Sequence, residues 1–158
     1  MSMEDLERAL ALIESHPETA SFEGPRPKML VRAAERALGL KLPPTYRKFV
    51  IELGAGNMGS AEVYGLIDAD FERSSVPDAI WATLRAREHD SLPLDLVVLN
   101  DEDGELTCLQ VRAGAEEGPV IRLYAGEDEA RRGSEEVAPD FGNYLLTRVE
   151  EALEVEHA

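Results

Sequence analysis

The sequence predicts an α+β fold: a single domain, residues 1–158, in which helices pack against a mostly antiparallel, mixed sheet. Three observations carry that expectation. Apolar residues recur at helical spacing through the first half and again at the C-terminal end. Between them lie short apolar runs punctuated by turn signals, Asp103-Gly104 and the stretch Gly114 to Pro119 among them. No linker is long enough to separate two domains, and 158 residues suit one core that buries about 70% of the unfolded surface.

In chain order, residues 3–15 read as a helix with Leu6, Leu10 and Ile13 on one face and Ala9 beside them. Ser2, with Asp5 three residues later, suits its N-terminal cap. His16 to Pro27 holds three prolines and a glycine and reads as a loop. Residues 28–38 give a second helix buried along Leu30, Val31, Ala34 and Leu38 and stopped by Gly39. Pro43 and Pro44 open a third, because a first helical turn has no use for the N–H that proline lacks. Tyr46, Phe49, Val50 and Leu53 then share one face, and Gly54 follows where a left-handed cap favours glycine.

A Gly-rich turn leads to Glu62–Leu66, which alternates like a strand, and Ile67 to Ser75 is a polar loop. Val76 to Arg87 reads as a fourth helix carrying Ile80, Trp81 and Leu84. The continuous apolar run Leu96–Leu99 predicts a central strand covered on both faces. Asp101-Glu102-Asp103-Gly104 turns the chain, Leu106 to Val111 returns, and Val120 to Tyr124 adds another strand. An acidic loop from Ala125 to Pro139 precedes a last helix starting near Asp140, with Phe141, Tyr144, Leu145 and Val149 on its apolar face.

The charge balance is the most informative bulk property. Sixteen Lys and Arg against 32 Asp and Glu give a net charge of −16. The excess is uneven: residues 1–94 carry 15 acidic and 11 basic side chains, and residues 95–158 carry 17 and 5. Such a field repels phosphate backbones and anionic membranes, so neither nucleic acid nor membrane is an expected partner. It either keeps the chain soluble or speeds its encounter with a basic protein. The acidic start of the chain does not read as a signal peptide, and a single cysteine, Cys108, fits a reducing cytoplasm.

Motifs for chemistry are scarce. Gly54-x-Gly56-x-x-Gly59 matches a dinucleotide fingerprint in letters, yet it follows a helix and enters a strand, the reverse of what phosphate binding needs. A calcium loop around Gly104 would put Leu99 and Gln110 at its end ligand positions, which neither can fill. His16, His89 and His157 are scattered, and Cys108 sits inside a strand as a small hydrophobe. No catalytic residue, metal or cofactor is expected. The remaining candidates are acidic: Asp101, Glu102, Asp103 and Glu105 in the hairpin, Glu127, Asp128 and Glu129 in the loop, and the pairs Glu116-Glu117 and Glu135-Glu136. Trp81 is expected to pack, or, if exposed, to anchor an interface.

Leu38-Gly39, Leu42-Pro43-x-x-Tyr46-x-x-Phe49, Leu53-Gly54 and a strand ending in Gly65 form an ordered set. Together with Val97-Val98-Leu99-Asn100 and Asp103-Gly104-Glu105-Leu106-Thr107-Cys108-Leu109, it resembles the SUKH superfamily over roughly residues 28 to 125. That superfamily holds fungal cell-wall-assembly regulators and bacterial immunity proteins of polymorphic toxin systems. The resemblance implies a non-catalytic protein-binding module, an immunity protein occluding a basic toxin domain. An intracellular regulatory module without a toxin partner, or a small metal-dependent hydrolase, are the alternatives.

Overall fold

A computed structural model of the chain describes residues 2–75, 77–124 and 134–156. Two antiparallel sheets meet side by side, with helices packed about them. The N-terminal helix α1 (Ser2–Ser15) buries Leu6, Ala9 and Ile13 and lies along the C-terminal helix, Phe141–Glu156. Gly142 permits that approach, because a Cβ there would run into the Ser2 carbonyl.

Strand β1 (Ala20–Phe22) follows inside the segment expected to be a loop. Helix α2 (Lys28–Leu38) ends on Gly39 at φ 70°, as the left-handed cap requires. Helix α3 (Pro44–Leu53) starts with Pro44 and ends on Gly54 at φ 72°. Its Tyr46 and Phe49 pack on Phe141 with ring centroids 4.9 and 5.3 Å apart, the aromatic centre of the core. Tyr46 is fully buried and donates its hydroxyl proton to the Tyr64 carbonyl at 2.8 Å.

Strand β2 (Gly56–Met58) occupies what the sequence presents as a Gly-rich turn, and β3 (Ala61–Val63) pairs with it. The order β1-β2-β3 completes the smaller sheet. Gly56 faces Ser21 and Phe22 with no room for a Cβ, so glycine here serves strand approach. Three-residue strands leave almost no period-2 signal, and only pairing reveals them. The same holds for the strand Glu135–Ala138, inside the expected acidic loop.

Helix α4 (Ala79–His89) packs against β4 (Leu96–Glu102), which pairs with β5 (Glu105–Gln110), then β6 (Val120–Tyr124) and β7 (Glu135–Ala138), ahead of α5 (Phe141–Glu156). All ladders among the described residues are antiparallel, and one isolated bridge, Gly65 with Asp78, is parallel. The structure corrects the expectation for Leu96–Leu99. These residues are all buried, yet β4 is an edge of its ladder. Its outer groups are met by other means: Tyr64 N–H donates to Leu99 O at 2.8 Å, and Thr83 Oγ1 accepts from Val98 N–H at 2.8 Å. These two bonds occupy part of the edge that a foreign strand would need.

Asp78 caps α4, its carboxylate accepting from Ile80 and Trp81 N–H at 2.8 and 3.1 Å. It is 0% exposed, and burial raises its carboxyl above the ordinary range against the opposing pull of those hydrogen bonds. An acid with a raised folded-state pKa adds stability below its unfolded pKa and loses it as pH climbs through the folded value. Asp78→Asn is therefore expected to keep the cap and flatten the decline of stability above about pH 4. Asp78→Ala should cost about 1–2 kcal/mol below about pH 4, where the cap contributes fully, and progressively less as pH climbs. Urea titrations across pH would contradict this if Asn proved as costly as Ala.

Candidate interaction surface

The β4–β5 hairpin projects the acidic residues singled out from sequence. Asp103 and Gly104 have φ of 52° and 87°, the positive pair of a two-residue turn, and Glu102 pairs with Glu105 across it. The strands therefore run nearer to the turn than the sequence suggests. Asp101 Oδ1 accepts from Gly104 N–H at 2.9 Å and braces the tip. Asp101, Glu102 and Asp103 are exposed.

Strand alternation sends these side chains two ways. Asp101 and Leu106 line a cleft of about 220 Å³ with Tyr64, Trp81, Arg85 and His89. Thus two elements far apart in sequence, Trp81 on α4 and Asp101 on β4, share one recess. Trp81 is half-buried, with the Arg85 guanidinium 5.0 Å from its ring centroid, so the indole is both packed and reachable. Glu102 and Glu105 face the other way, beside Arg122, Tyr144 and Arg148. Glu105 is held by Arg122 at 2.7 Å, and Arg122 also reaches Glu135 at 3.8 Å. Its charge is already answered within the fold.

The local potential registers on Tyr64, whose hydroxyl is pushed up to about 12. Burial contributes most, then the negative charge of Glu62, with Asp101 and Glu102 adding further against one opposing Asp101 backbone hydrogen bond. Glu62 is the acidic neighbour that sequence reasoning passed over. Its signal was the alternation Glu62-Val63, which turns it away from the core.

Glu117 departs from the solvated acidic runs. It turns inward and caps α3 from 72 residues away, accepting from Thr45 N–H at 3.1 Å and Thr45 Oγ1–H at 2.7 Å. Glu127, Asp128 and Glu129 lie outside the described residues. Among the described residues, no three His, Cys, Asp or Glu side chains gather as metal ligands would, and no helix is long and apolar enough to cross a membrane. Cys108 is buried.

The positions that carried the resemblance hold the frame behind this surface. Leu38, Leu42, Tyr46 and Phe49 are core, Pro43 precedes α3, Leu53 is partly buried, Gly39 and Gly54 cap helices, and Gly65 lies against the backbone of Gly54. No curated protein matches the chain. A crystal structure of a protein from Pseudomonas syringae pv. tomato aligns with a TM-score of 0.56 at 18% identity, covering 80% of this chain and 89% of that one. It is similar in fold. A family model described as SUKH_5, SMI1-KNR4 cell-wall, matches residues 3–150, and the chain belongs to that family of the SUKH superfamily.

Proposed function

We propose that this chain is a cytoplasmic, non-enzymatic protein-binding module that acts as an immunity protein, covering the basic surface of a toxin domain. One observation carries the reading: a braced hairpin exposes Asp101, Glu102 and Asp103 at its tip, and Asp101 lines the same cleft as a reachable Trp81. A fixed acidic tip beside an aromatic anchor suits a partner lined with Lys and Arg. The charges steer encounter, and the indole supplies contact that outlasts it. A nuclease cleft, already built to attract phosphates, has the required sign. Inhibition then needs no chemistry, only occupancy of that cleft.

The test is co-expression with toxin domains encoded beside the chain in its host. Growth should be restored by the chain and lost again on Trp81→Ala combined with amides at 101, 102 and 103. Equal rescue by that variant overturns the surface assignment. A stable partner that is harmless when expressed alone would replace immunity with a regulatory role.

A further inference from the structure

A second surface of opposite sign lies at the other end of the β4–β5 ladder, some 20 Å from the hairpin tip at about 3.3 Å per strand residue. Here the α2–α3 connection (39–43) with the start of α3, Leu94-Asp95 and the β5–β6 turn line a groove of about 860 Å³. Leu94 is 71% exposed and stands on its rim, with Leu40 and Val111 partly buried in its walls.

The walls are fixed. Arg87 donates to Leu38 O at 2.9 Å and to Leu94 O at 3.0 Å, tying one side to the other. Glu35 accepts from Leu42 N–H and from Arg47, each at 2.7 Å, and holds the connection from below. A groove held in this way spends little free energy on ordering when something enters it.

The groove's own lining is near balance, with Lys41, Arg47 and Arg112 against Asp95 and Glu116, and the basic excess lies on α2 beside it. Lys28, Arg32 and Arg36 fall at i, i+4 and i+8 on α2 and continue into Lys41, Arg47 and Arg112 around the groove. These are six of the chain's sixteen basic side chains, beside three of its 32 acidic ones.

We propose that this groove binds a short acidic segment of a partner protein, with an aliphatic side chain seated against Leu94 and carboxylates along the α2 stripe. The local charge is complementary to such a segment. A second copy of the chain, at −16, is repelled by the field of the first. A nucleic-acid strand extends its charges beyond the basic patch into the acidic half and meets the same repulsion.

The experiment is fluorescence anisotropy with a labelled peptide of Glu and Asp around a central Leu-Leu. Controls are its Ser-Ser and Lys-for-acid counterparts and a single-stranded oligonucleotide of equal length. The acidic Leu-Leu peptide is expected to bind, and Arg32→Glu with Lys41→Glu should weaken it roughly tenfold. Leu94→Ser should weaken it to the level of the Ser-Ser peptide, while Asp101→Asn with Asp103→Asn leaves it unchanged. All substituted side chains are on the surface, and matched melting curves establish that each variant is folded. Equal binding of the Lys peptide or the oligonucleotide, or indifference to the α2 variant, overturns the proposal. Sedimentation showing dimers that Leu94→Ser dissolves would assign the groove to a second copy and overturn it as well.

Discussion

Converting Asp101, Glu102 and Asp103 together to amides is expected to slow association with the proposed basic partner by roughly tenfold at low salt. Dissociation should change by no more than about threefold, because steering acts on encounter and the packed contacts stay. The substitutions spare the fold. Asn-Gly favours the same two-residue turn as Asp-Gly, and an amide at 101 can still accept from Gly104 N–H. Glu105 is left in place, since its bond to Arg122 makes its removal a structural change. Stopped-flow traces across a salt series measure both rates. The difference between parent and variant should shrink as salt rises, since exposed charges are screened beyond about 10 Å at 0.1 M. A difference that persists at high salt would mean that contact, not steering, had been lost.

Gly65→Ala is expected to be the most damaging single change outside the aromatic core, at roughly 3 kcal/mol. A Cβ at this position would run into the Gly54 carbonyl, which is backbone and cannot rotate away. The strain would fall where the chain is most tied. Leu66 N–H donates to Gly54 O at 2.9 Å, Gly65 N–H to Pro77 O at 2.9 Å, and Ala79 N–H to Gly65 O at 2.7 Å. Separating these segments loosens the end of α3, the exit of β3 and the start of α4 together. Gly114→Ala is the informative comparison. Its φ is 80° but nothing lies within 4 Å, so it should cost only the left-handed penalty of about 1 kcal/mol. Urea denaturation of both variants separates steric from conformational demand, and equal costs would refute the distinction.

How legible the molecule was in its sequence depended on the range of the forces involved. Helices α2 and α3 announced themselves through local periodicity and glycine or proline at their ends, and α5 through its periodicity alone. The hairpin did so through Asp103-Gly104. Strands β1, β2 and β7 did not, because three or four residues hold too little pattern and exist through their partners. Glu117 looked like surface charge, since nothing local reveals a helix end 72 residues away that needs a cap. The candidate surface was half legible. Its acidic tip was written in consecutive letters, while the meeting of Trp81 with Asp101 required α4 to dock on β4. The groove was invisible for the same reason, being assembled from three separate connections.

In the proposed function the chain presses its acidic hairpin face against a basic protein. Hydrogen–deuterium exchange of the chain with and without its captured partner tests this most directly. Added protection is expected across residues 98–107 and along α4 near Trp81, with the α1–α5 pair unchanged. Protection confined to α1 and α5, with residues 98–107 exchanging as in the free chain, would contradict it.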